Sequence, residues 1–190
     1  MNRVSVVVLC FLFCTISPMI AHMSSANLLD NGVTQEGDEF VLFNRLTDNS
    51  ILTVDVNGNI SKNAISAGIL TPIWTYETNL STISAAIDDG ELMLAVCHDL
   101  GFLSFNLQSV SVMYYNNNTD STDMVDWDSD GDIWLSYGSG QRKAIEYDSN
   151  GQTGYQSNTI SSGFLSFSIL ANGDLAFGAM DFKVHIYDQG

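Results

Sequence analysis

The sequence is poor in positive charge, cysteine, histidine and proline, and each shortage removes a class of explanation. Six lysines and arginines stand against 22 aspartates and glutamates in 190 residues, a formal net charge of −16 at pH 7. Such a surface repels nucleic acid and anionic lipid headgroups, so neither is an expected partner. Cysteine occurs only at positions 10, 14 and 97. The first two fall in the N-terminal stretch set aside below, and a single thiol cannot close an internal disulfide. Cys97 sits in the apolar run LMLAVC, where an inert buried thiol is expected. A Cys–His catalytic pair would require the fold to bring Cys97 to His185. Proline occurs only at Pro18 and Pro72, and no stretch after residue 26 keeps a helical period for three turns. The motifs GxSxG, HExxH and CxxC and a phosphate-binding glycine loop are also missing from the sequence.

What is present begins with MNRVSVVVLCFLFCTISPMIAHMSSA. One early positive charge, Arg3, precedes an apolar run from Val4 to Ile16, then Ser17-Pro18, then the small residues Ser24, Ser25 and Ala26. That order predicts a signal peptide over residues 1–26 and an exported or secreted protein. The alternative is an uncleaved membrane anchor, for which the run is short of the ~20 residues of a span. Cleavage would leave 164 residues, with 22 acids against five basic residues and a net charge of −17. That length suffices for one domain with its own core, and no further membrane contact is expected of it. The acids are scattered, which argues for a solvated surface and against a disordered acidic tail.

After a short lead-in at 27–36, the chain repeats itself. AAIDDGELMLAVCHDLGFLSFNLQ, DWDSDGDIWLSYGSGQRKAIEYDSNG and SILANGDLAFGAMDFKVHIYDQG align on Gly90, Gly131 and Gly173, which are 41 and 42 residues apart. A looser copy, GDEFVLFNRLTDNSILTVDVNGN, places Gly37 53 residues before Gly90. Each copy reads as an apolar strand, an Asx-Gly turn, a second strand, a polar turn and a third strand. The third strands are expected to end at Val54-Asp55, Phe105-Asn106, Tyr147-Asp148 and Tyr187-Asp188. Fourth strands are expected at 72–78, 110–116 and 152–157. Four short antiparallel strands in units of about 40–45 residues predict an all-β chain of β-propeller blades. The blades run over about 37–80, 81–120, 121–160 and 161–190, three full and the last incomplete. The chain is therefore expected to be the front portion of a larger propeller.

SILANGDLAFGAMDFKVHIYD resembles a WD40 repeat, with Asn172-Gly173-Asp174 at the first hairpin and Asp181 in the next tight turn. Tyr187-Asp188 stands where that family usually has Trp-Asp, and the family's Gly-His pair is missing. DSDGDIWLSYGSGQRKAIEYDSNG is similar to the blades of NHL and two-component-regulator sensor propellers. IWTYET followed by SAAIDDGELMLAV is similar to quinoprotein-like repeats. The resemblance covers roughly residues 37–190 and implies a fold more than an activity.

DWDSDGDIW, residues 126–134, admits two readings. As a hairpin, Asp130-Gly131 would form a two-residue corner with both residues at positive φ, leaving Asp126 and Asp128 as ordinary surface acids. As a metal loop, Asp126, Asp128, Asp130 and Asp132 would gather a calcium ion, since Asp-x-Asp-x-Asp-Gly begins an EF-hand-type loop. The twelfth position of such a loop needs a bidentate Glu, and here it is Tyr137. The ninth position, an acid in integrin-type propellers, is Trp134, which reads as core. The hairpin is the expected reading; calcium is the alternative, and no other cofactor is expected.

The remaining candidates are plain. Arg142 and Lys143 read as a solvated turn, and Tyr114-Tyr115 before three asparagines reads as a strand end rather than a glycan-binding patch. Asn59, Asn79 and Asn117 begin N-glycosylation sequons. The reading that follows is an exported, non-enzymatic propeller module binding a protein, glycan or other small ligand. A propeller enzyme of quinoprotein or lyase type, or an extracytoplasmic sensor domain, is the alternative.

Overall fold

The computed structural model describes residues 39–117, 122–137, 142–148, 150–159 and 163–188. Residues 1–26, read above as a signal peptide, the stretch 27–36 and Gly37 lie outside them. Among the described residues there are fifteen strands and no helix. The first sheet holds β1 (Phe40–Arg45), β2 (Ile51–Asp55), β3 (Asn59–Ser66) and β4 (Ile69–Glu77). The second holds β5 (Thr82–Ile87), β6 (Met93–His98), β7 (Gly101–Asn106) and β8 (Ser111–Asn116). The third holds β9 (Met124–Trp127), β10 (Ile133–Tyr137), β11 (Lys143–Tyr147) and β12 (Thr153–Gln156). The fourth has three strands, β13 (Phe164–Ile169), β14 (Leu175–Ala179) and β15 (Val184–Tyr187). Pairing is antiparallel and sequential throughout, and the first strands β1, β5, β9 and β13 are neighbours along the inner side. These are three full propeller blades and one of three strands.

The second strand of each blade explains the stacking. In β6, Leu94 and Val96 face blade 1, joining Leu52, Val54 and Ile60, while Ala95 and Cys97 face blade 3. In β10, Ile133, Leu135 and Tyr137 point back to blade 2, and Trp134 points forward to Leu175 and Phe177 of blade 4. All five residues of β10 are buried. A strand covered on both faces has no solvated side to mark with polar residues, so its sequence runs apolar without alternation.

The corners are built alike. Each first hairpin turns on one residue at positive φ: Asn49, Glu91, Gly131 and Gly173. In blade 3, Gly131 N–H donates to the Asp128 carbonyl and Asp128 N–H to the Asp132 carbonyl. This is a three-residue loop with one left-handed residue rather than the expected two-residue corner, and Asp130 keeps negative φ. A Cβ built at Gly131 meets nothing within 4 Å, so only the backbone conformation (φ +87°) selects glycine there. The equivalent corner in blade 1 is Asn49, not Gly37, whose glycine-acid pair precedes the first strand. Asp55 likewise ends the second strand of blade 1, not the third, because β1 begins later than the looser copy suggests.

Cys97 is fully buried and its thiol is pushed up to about 12, chiefly by that burial. It faces blade 3, whereas His185 lies on blade 4 beside Asp181, so the two form no pair. His98 is also fully buried, stacked on Tyr115, with its Nδ1 accepting the Leu100 N–H at 3.2 Å. Burial lowers its pKa, against a smaller opposing pull from Asp99.

Two outcomes follow from this core. Trp134→Ala, which empties the contact between blades 3 and 4, should lower unfolding free energy by about 3–5 kcal/mol in a urea titration. A change below about 1 kcal/mol would contradict the packing described. His98 is favoured neutral when folded, so its stabilisation is complete above the unfolded value of about 6.5 and is lost as pH falls toward the lower folded value. Stability measured below about pH 6.5 should therefore decline less in His98→Phe than in the parent chain.

Candidate functional site

Since every blade is entered from the same side, first and third hairpins share one rim of the structure and second hairpins the other. The shared rim is acidic. The β5–β6 corner carries Asp88, Asp89 and Glu91, and the β9–β10 corner carries Asp128, Asp130 and Asp132. Asp148 follows β11, Asp174 follows the β13 corner, and Asp188 follows β15. Of the described basic residues, Arg142, Lys143 and Lys183 lie toward the opposite rim, and Arg45 and Lys62 belong to blade 1. Blades 2–4 thus present a rim with carboxylates and no described lysine or arginine.

At its centre the structure gathers Asp128, Asp132 and Glu146, with one carboxylate oxygen of each lying within 4.8 Å of the others. Two of the four residues suggested by sequence are therefore brought together, and Asp126 and Asp130 fall outside the group. Asp126 pairs in register with Trp134 on β9, where burial raises its pKa. Asp130 is exposed at the tip of the corner. Glu146 joins because it stands opposite Trp134 in the β10–β11 register, one residue before Tyr147-Asp148. Counting back along that hairpin is the signal that would have found it.

The three acids differ in how they are held. Asp128 Oδ1 accepts the N–H groups of Asp130 and Asp132, each at 3.0 Å, and Oδ2 accepts the Trp134 indole N–H at 2.9 Å. Asp128 therefore fixes the corner and a core aromatic at once. Glu146 Oε2 accepts the Tyr155 N–H at 2.6 Å. Asp132 is half-buried, and its carboxyl is pushed up by burial and by the charges of Asp128, Glu146, Asp148 and Asp130. Such a group can share a proton or draw in a cationic group. Calcium wants ~6–8 oxygens; the trio supplies carboxylates from three residues, and Asp128 already serves three N–H donors.

This changes what a substitution should do. Asp128→Asn places an amide where the indole N–H needs an acceptor, and should cost about 1–3 kcal/mol in chemical denaturation, not the near-zero expected of a surface acid. Asp130→Asn should stay within about 0.5 kcal/mol. Equal effects of the two changes would contradict the structural role assigned to Asp128.

No family model matches the sequence, and no curated protein does. Solved structures do. The WD40 β-propeller domain of Doa1 aligns with a TM-score of 0.67 at 18% identity, covering 83% of this chain and 53% of that one. Sqt1 of Saccharomyces cerevisiae aligns with a TM-score of 0.62 at 14% identity, covering 79% of this chain and 45% of that one. The chain spans about half the length of the structures it matches. At such identities the likeness speaks for fold alone: the described blades have the architecture of a WD40 β-propeller.

Proposed function

We propose that this chain is an exported, non-enzymatic propeller module that binds a basic protein partner through its acidic rim. The observation that carries the reading is where the basic charge lies: in the hairpins of blades 2–4 on one side every described charged residue is an acid, and the described lysines and arginine of those blades lie toward the other side. A rim of one sign concentrates field, speeds the approach of an oppositely charged partner and rejects acidic ones. Export rests on the leader-like residues 1–26. The non-enzymatic part draws support from Cys97 and His98, both sealed in the core and biased to their uncharged forms.

A lysine- and arginine-rich peptide should bind the chain in calorimetry, with affinity falling steeply as salt rises because exposed charges are screened over about 8–10 Å. Replacing Asp89, Asp130 and Asp174 together by Asn should abolish that binding while leaving the melting temperature nearly unchanged. Salt-insensitive binding, or binding indifferent to the triple replacement, would sink the reading. Calcium is the competing use of the same rim: it would show as a melting temperature that climbs with calcium and stops climbing in Glu146→Gln.

A further inference from the structure

Away from the acid trio, a cleft of about 480 Å³ opens between blades 1 and 2, a size within the ~300–1,000 Å³ of small-ligand sites. Its walls come from the first hairpins of both blades and from β3, β4 and the β7–β8 corner.

Glu91 is the first clue. It occupies the left-handed corner position (φ +53°) that the repeat gives to Asn49, Gly131 and Gly173, although Gly90 stands beside it. A side chain held in that conformation is strained, and strain of this kind collects at functional positions. The carboxylate crosses to blade 1, where Oε2 accepts the Thr47 N–H at 2.8 Å and the Thr47 hydroxyl at 2.7 Å. Across the cleft, Asp48 is paired with Lys62 at 2.7 Å. Both acids of the cleft are therefore matched by donors.

The remaining wall is mixed. Trp74 is half-buried against Phe105, with Leu92 and Leu107 beside the opening, and Gln108 projects from the β7–β8 corner. A cationic ligand would meet Lys62, and an anionic one would meet Asp48 and Glu91. A neutral ligand with an apolar C–H face and a ring of hydroxyls meets neither penalty: it would lie on Trp74, donate to spare carboxylate lone pairs and accept from Lys62 and Gln108. We infer that the cleft between blades 1 and 2 is a binding site for a neutral saccharide unit. This goes beyond the basic-partner reading and does not rest on it.

The test uses the whole chain and three probes: methyl β-glucoside, methyl β-galactoside and N-acetylglucosamine, followed by saturation-transfer NMR and tryptophan fluorescence. At least one should bind saturably. Gln108→Ala, at an exposed position, and Glu91→Gly, which restores the residue this corner favours, should each weaken binding about tenfold or more with the chain still folded by melting temperature. Asp130→Asn and Asp174→Asn, on blades 3 and 4, should leave it unchanged. No saturable binding by any probe, or binding indifferent to both cleft substitutions, would overturn the assignment. So would loss of lysine-rich peptide binding in Gln108→Ala, which would give the cleft to the charged partner.

Discussion

A strand buried on both faces cannot be satisfied inside its own sheet. The second strands of blades 1, 2 and 3 are such strands, and the stacked architecture follows from them. Ala95 and Cys97 need blade 3 as much as Leu94 and Val96 need blade 1. No blade closes a core by itself, so stability accumulates at the contacts between neighbours, as in other repeat proteins. On the far face of blade 4, Val184 and Ile186 are 59% and 53% exposed, because none of the described strands continues the stack there.

The corners impose the second constraint. Each hairpin leaves backbone N–H groups pointing outward, and side-chain oxygens at the strand ends collect them. Asp55 takes those of Asn57 and Asn59, Asp88 those of Leu92 and Met93, and Asp148 those of Asn150 and Gln152. A loop rich in aspartate looks like a cation site because both uses need oxygens at close spacing. Where the lone pairs already face backbone donors, as at Asp128, the acid belongs first to the fold.

This division explains what was readable in the sequence. The blade pattern was legible because two-sided burial writes unbroken apolar runs, as in LMLAVC and IWLSY, at a spacing near 41 residues. The fourth strands were written more weakly: PIWTYET and VSVMYYN are rich in aromatic and β-branched residues, whereas QTGYQS has only Thr153 and Tyr155. The first blade was misaligned because a glycine-acid pair is a composition, not a conformation. Gly37-Asp38 has the letters, but the corner sits at Asn49, where asparagine tolerates the left-handed region without glycine. Glu146 stayed hidden because its place in the trio depends on cross-strand register rather than on spacing along the loop. The Thr47–Glu91 contact joins residues 44 apart on different blades, and no local pattern encodes it.

How much of the acidic rim the fold itself demands can be judged from one corner that lacks a charge. After β7, Asn106 Oδ1 accepts the N–H groups of Gln108 and Ser109 at 2.9 and 2.8 Å, doing for its turn what Asp148 does after β11. The corner therefore needs an acceptor oxygen and is indifferent to the charge behind it. Aspartate at Asp88 and Asp148, which use one oxygen each, adds a negative charge that the geometry does not require, whereas Asp128 uses both of its oxygens. Those charges repel one another: the carboxyl of Asp132 is raised first by burial and then by the charges of Asp128, Glu146, Asp148 and Asp130. Repulsion of that kind lowers the stability of the compact state and is relieved when positive charge arrives. The rim thus holds more charge than its turns need, and that surplus is what a basic partner would meet.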